Sequence, residues 1–151
     1  MKKQSVLFVC LGNICRSPAA EAIFLDLINK KGLNDSFIVD SAGTGSWHIG
    51  KMADTRMRIA SQKRGVEIFS RARQINSNDF EKFNYIVAMD DSNYENIFDM
   101  KSRKSLSDFA SIKKIQNFRS IFQEIEVPDP YFEGDEAVSY THLTLPTILL
   151  V

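Results

Sequence analysis

The stretch FVCLGNICRSPAAEAI, Phe8 to Ile23, holds both cysteines of the chain, Cys10 and Cys15, together with Asn13, Arg16 and a Ser17-Pro18 pair. Cys10 and Arg16 are separated by five residues, so a loop curling into a cradle brings a sulfur and a guanidinium to the same small anion. Thiols beside a helix N-terminus and an arginine ionise well below the ordinary value of about 8.5, which supplies a nucleophilic anion at neutral pH. Backbone N–H groups from Leu11 through Gly12, Asn13, Ile14 and Cys15 to Ser17, aimed inward at the start of a helix, suit a dianion such as phosphate or sulfate. The planar fork of Arg16 grips two oxygens at once, which a lysine cannot do. The same donors then stabilise a pentacoordinate transition state. Gly12 lets the backbone approach the ligand, Asn13 tolerates a left-handed conformation, and the Ser17 hydroxyl can turn towards the sulfur. The chemistry that fits is removal of a phosphate. Cys-x5-Arg alone also arises by chance, and a cysteine ending a strand is commonly a small hydrophobe; its position between a buried strand and a capped helix favours the chemical reading. The loop is not a Walker A site, because the terminal Gly-Lys-Ser/Thr is missing.

A phosphocysteine intermediate requires a proton for the leaving oxygen and later an activated water. One carboxyl group can do both, and Asp129 in VPDPYF is the candidate. Its flanking prolines restrict the backbone and so aim the side chain, with Asx-turn chemistry as the structural alternative. Tyr131 and Trp47 offer aromatic walls for a flat leaving group, or ordinary packing.

These residues need a scaffold, and the chain spells one out. Ser5 to Cys10 is a continuous apolar run, the pattern of a strand buried on both faces. A helix follows, with Ser17 as N-cap, Pro18 first, Glu21 in the first turn, Ala20, Ile23, Phe24, Leu27 and Ile28 at helical spacing, and Gly32 closing it. Further strands are expected at Phe37 to Ser41, Tyr85 to Met89 and Lys113 to Phe118, and helices at Asp54 to Arg64, Asp91 to Asp99 and, shorter, Ser105 to Ser111. Alternating strands and helices predict an α/β fold: a doubly wound, Rossmann-like, mainly four-stranded parallel sheet with helices on both faces. Ligands bind at the carboxyl ends of such strands, which is where the anion-binding loop after strand 1 falls.

Composition narrows the classes. With 151 residues one domain can bury about two thirds of its unfolded surface. Lys+Arg 19 balances Asp+Glu 19, so the broad basic footprint of nucleic-acid or anionic-membrane binding is not expected. Two cysteines make no disulfide framework, and the N-terminal stretch is too poor in apolar residues for a signal peptide. A reducing, cytoplasmic setting is expected. No apolar run approaches the roughly 20 residues that span a bilayer. His48 and His142 form no zinc-ligand spacing with the cysteines, and neither a metal nor a cofactor is expected.

The chain resembles the low-molecular-weight protein tyrosine phosphatases. The resemblance rests on ordered blocks: CLGNICRSP, SAGTGSWHIG at Ser41 to Gly50 with Asp54 and Arg56 after it, RARQ at Arg71 to Gln74, IVAMDDSN at Ile86 to Asn93, and VPDPYF at Val127 to Phe132. It spans residues 5 to about 138. It implies Cys10 as nucleophile, Arg16 as clamp and transition-state stabiliser, and Asp129 as general acid and then base. It implies a hydrogen-bond network of Asn13, Ser17 and Ser41, and places Trp47 and Tyr131 beside the substrate, a phosphotyrosine-containing protein or aryl phosphate. A reversible disulfide between Cys15 and the nucleophile is a family property; simple packing is the other reading of Cys15. Two departures stand out. Where the family commonly has a histidine before Arg-x-Arg-Gln, this chain has Ser70. Beyond a phosphatase domain at 1–138, the family continues into an amphipathic helix, whereas SYTHLTLPTILLV at 139–151 alternates and contains Pro146. That tail reads as non-native or disordered, and an uncovered sheet face is expected to cost stability while sparing the site.

Three other functions fit less well. An arsenate reductase of related type needs further cysteines, and none follows Cys15. A phosphoarginine phosphatase tends to carry threonine where Ile14 stands, and Ile14 suits a flat ring better than a branched guanidinium. A dead phosphate-binding module would not need all three chemical residues.

Overall fold

The computed structural model describes residues 3–115; Asp129, Tyr131, the boundary at 138 and the 139–151 tail lie outside them. The apolar run at the start of the chain forms β1, Gln4–Cys10. It pairs in parallel with β2, Phe37–Gly43, on one side and with β3, Tyr85–Ala88, on the other, and β3 pairs in parallel with β4, Ser111–Lys114. The order β2-β1-β3-β4 makes β1 an interior strand, which is why its residues are apolar without alternation.

Parallel neighbours cannot be joined by tight hairpins, so each crossover carries helix. Between β1 and β2 runs α1, Arg16–Lys30; between β2 and β3 come α2, Thr55–Lys63, and α3, Asp79–Lys82; and α4, Asp91–Arg103, leads to β4. The period-two alternation of strand side chains then divides the core. Val6, Phe8 and Cys10 pack with Ala19, Ala20 and Ile23 of α1 and Met57 of α2. Leu7 and Val9 pack on the opposite face with Phe80 of α3 and Ile97 of α4. Each large apolar side chain withdrawn from water in this way contributes about 1.5–3 kcal/mol. The result is the doubly wound sheet with helices on both faces that the sequence pattern predicts.

Local differences have local causes. Asp54 caps α2 from outside, its carboxylate accepting from the Arg56 and Met57 amides. Asp90 caps α4 by accepting from the Asn93 N–H at 2.7 Å, and the helix runs on past Asp99 to Arg103 because no breaker intervenes. The short helix expected over Ser105 to Ser111 is absent. Ser105 takes a left-handed φ of 47° and the Leu106 N–H returns to the Lys101 carbonyl, which ends α4. Leu106 and Ala110 are drawn into the core instead. The last strand therefore starts at Ser111, opposite Tyr85, rather than at Lys113. The one-turn α3 is too short to show a helical period. Among the described residues, no helix is long and apolar enough to cross a membrane.

Candidate active site

The carboxyl edge of the sheet brings three strand ends together. Cys10 closes β1 opposite Gly43 of β2, and the Met89 N–H, just past β3, bonds to the Val9 carbonyl. Between Cys10 and α1 the chain makes a tight loop, and the directions of its peptide groups define what it can bind. The Cys10 carbonyl accepts from Thr44 N–H, the Leu11 carbonyl from Gly45 N–H and the Ile14 carbonyl from Asp54 N–H, at 2.7–2.9 Å. In a trans peptide the N–H points opposite to its carbonyl. With these carbonyls held outward, the amides of Leu11, Gly12 and Cys15 face the interior of the loop. The Asn13 amide points at the sulfur, 3.3 Å from Cys10 Sγ.

Asn13 is the hub of this loop. Its φ of 55° is left-handed, a conformation Asn tolerates better than other side chains. Its Nδ2 donates to Ser17 Oγ at 2.8 Å and to Ser41 Oγ at 3.0 Å, while its Oδ1 accepts from the Arg73 amide at 2.9 Å. Ser17 Oγ in turn lies 3.0 Å from Cys10 Sγ. The sequence reading of Ser17 as the helix cap is therefore corrected. Helix α1 begins two residues earlier, at Arg16 rather than Pro18, with Cys15 in the cap position and no side-chain cap bond, because the sulfur and the Asn13 amide have claimed the Ser17 hydroxyl. Glu21 likewise lies beyond the first turn, where it accepts from Ser41 Oγ at 2.5 Å. The loop is thus tied through Ser41 to a carboxylate on the next turn of α1.

Arg16 is 1% exposed, the largest fully buried side chain among the described residues. Its Nη1 donates to Asp90 Oδ2 at 2.6 Å. A guanidinium removed from water needs such a partner, since an uncompensated buried charge costs several kcal/mol or more. Asp90 escaped the sequence reading, although it stands in the quoted IVAMDDSN block. The available signal was an acid at the carboxyl end of a strand, and nothing local distinguishes it from Asp91. Arg73 was also missed: its guanidinium pairs with both Asp79 oxygens at 3.0 Å and with Asp40, which fixes the backbone whose amide holds Asn13.

The other candidates occupy varied places. Ile14 and Cys15 are buried, the Cys15 side chain packing with the α1 face of the core. Cys10 and Cys15 are not joined by a disulfide. Trp47 is 68% exposed, its ring lying over Gly45 so closely that a Cβ there would meet Cζ3 at 1.8 Å. The glycine pressed against rigid backbone is Gly43, which the sequence reading passed over. A Cβ there would stand 2.7 Å from the Leu11 carbonyl oxygen, backbone that cannot yield. Burial raises the Glu21 carboxyl above its ordinary 4.5, with Asp40 adding to the rise and Ser41, Ser70 and Arg73 opposing it. Among the described residues, no three His, Cys, Asp or Glu side chains converge into a metal-holding group.

A strand-loop-helix cradle of inward amides around a cysteine, closed by a buried arginine, is the architecture of a cysteine-dependent phosphatase. The family model described as low molecular weight phosphotyrosine protein phosphatase matches residues 5–145. A low molecular weight phosphotyrosine protein phosphatase of Schizosaccharomyces pombe is 40% identical over 145 residues, covering 95% of this chain and 91% of that one. A protein tyrosine phosphatase of Entamoeba histolytica, solved with Hepes in its active site, superposes with a TM-score of 0.87 at 40% identity, covering 97% of this chain and 92% of that one. A Drosophila arginine phosphatase superposes with a TM-score of 0.89 at 34% identity, covering 99% and 94%. The chain belongs to the low molecular weight phosphotyrosine protein phosphatase family.

Two predictions follow from this geometry. Asp90→Asn keeps an acceptor for the α4 cap but removes the charge opposite Arg16, and urea denaturation should show a loss of about 3–5 kcal/mol; a loss under about 1 kcal/mol contradicts the buried pair. For Glu21 the folded carboxyl binds its proton more tightly than the unfolded one, so its contribution to stability is present below about pH 4.5 and is lost as pH rises through the raised folded value. The Glu21→Gln variant should lack that component of the pH dependence, and urea midpoints that track the unmodified chain at every pH contradict it.

Proposed function

We propose that this chain hydrolyses phosphotyrosine in proteins, and small aryl phosphates, through a phosphocysteine intermediate. The observation that carries this is the sulfur of Cys10 held by the Asn13 amide and the Ser17 hydroxyl within a loop whose other amides face inward. That setting presents donors to a tetrahedral dianion. Cys10 Sγ attacks phosphorus; an S–P bond forms as the P–O ester bond breaks, and the departing phenolic oxygen takes a proton from Asp129. Water then attacks the phosphocysteine while Asp129 accepts its proton, inorganic phosphate leaves, and the sulfur regains its electron pair. Arg16, with its plane set by Asp90, binds two oxygens of the phosphoryl group and neutralises charge gathering on them. Tyr131 and Trp47 flank the ring, and the cytoplasm is the compartment in which the thiol stays reduced.

A second reading, phosphoarginine hydrolysis, draws on the likeness to the Drosophila arginine phosphatase. Against it stands the bulk of Ile14 at the loop wall, where a branched guanidinium would crowd.

Turnover of an aryl phosphate series, with chelator present, tests the proposal. Cys10→Ser should abolish hydrolysis, and Asp129→Ala should slow esters with poor leaving groups most, because they depend most on protonation. Phosphoarginine should be a far poorer substrate than phosphotyrosine. Undiminished turnover by Cys10→Ser refutes the mechanism, and a preference for phosphoarginine refutes the substrate.

A further inference from the structure

Beside the loop lies a groove of about 550 Å³, most of whose lining takes no part in the reaction. Leu11 of the loop and the exposed ring of Trp47 stand at one end. Its floor includes Ile75 and Ile97, both buried. Its far end is formed by the last turn of α4, with Arg103 and Lys104. Asp99 also lines it, but pairs with Arg103 at 3.0 Å, so the lining carries one surplus positive charge, at Lys104. The groove is continuous with the loop through Leu11, apolar along its base and cationic where it ends.

Resting on the phosphotyrosine reading above, the geometry points to a binding groove for the substrate's own chain, selecting an acidic residue at a set distance from the phosphotyrosine. From Asn96 to Lys104 the wall runs about 12 Å, at a rise of about 1.5 Å per helical residue. An extended peptide covers that length in about four residues, at roughly 3.3 Å each. The acid recognised at Lys104 and Arg103 therefore lies about three to five positions from the phosphotyrosine. Asn96 and Asn76 on the walls carry amides that can pair with a peptide backbone, whose polar groups must be satisfied as it leaves water. A surface ion pair of this kind gives modest discrimination and fades with salt.

The test compares kcat/KM for three phosphotyrosine peptides: a neutral one, one with glutamates three to five residues before the phosphotyrosine, and one with them after it. A small aryl phosphate serves as the control. The unmodified chain should favour one of the acidic peptides over the neutral one by about two- to fivefold at low salt. The double variant Arg103→Glu, Lys104→Glu should lose or invert that preference while hydrolysing the aryl phosphate as before. Lys104→Glu alone should go part of the way, and an unchanged melting temperature excludes a folding defect. Equal turnover of all peptides by the unmodified chain, or a preference that survives charge reversal, overturns the inference while aryl phosphate turnover leaves the catalytic reading intact. Failure of the unmodified chain to hydrolyse the aryl phosphate overturns both.

Discussion

A single buried ion pair organises this site. The Arg16 guanidinium is out of water, and its charge is answered by Asp90 at 2.6 Å. The second oxygen of Asp90 accepts from the Asn93 amide at the start of α4, so one carboxylate ties the loop to another helix N-terminus. Loop, α1 and α4 are thereby fixed to the same corner of the sheet. Separating them would strand a cation in a low-dielectric interior, which Coulomb and desolvation costs both forbid. A lysine could not take this place, because its single ammonium cannot hold a carboxylate with one edge of a plane while offering the rest of a fork to a phosphoryl group.

The second constraint is conformational. Gly43 lets the end of β2 approach the loop backbone, and the three outward carbonyl bonds turn the amides in. Asn13 then spends its side chain on Ser17, Ser41 and the Arg73 amide, which holds its left-handed backbone in place. Ser41 passes the network to Glu21. These bonds preorganise the donors before any anion arrives, which is where electrostatic catalysis gains most.

What the sequence disclosed was local in nature. The apolar run of β1, the Cys-x5-Arg spacing and the helical periodicity of α1 all lie within one contiguous stretch, and the parallel sheet follows from their alternation with later elements. Asp90, Arg73 and Glu21 could not be read in the same way. Asp90 is remote in sequence from Arg16, and its choice over Asp91 depends on which peptide carries the turn into α4. Of the two uses the sequence offered Ser17, the cap failed and the contact with the sulfur held, because in the folded loop the hydroxyl serves the sulfur instead of the helix. The segment from Ser105 to Ser111 was misread because a left-handed Ser105 and two core contacts override its weak helical tendency.

The most direct test of the account is a crystal structure of the Cys10→Ser variant grown with phosphate. The account predicts a tetrahedral oxyanion within the loop, contacted by the amides of Leu11, Gly12 and Cys15 and by two nitrogens of Arg16, with the Asp90 bond intact. An Arg16 side chain turned away from the loop, or phosphate at saturating concentration bound elsewhere, would contradict it.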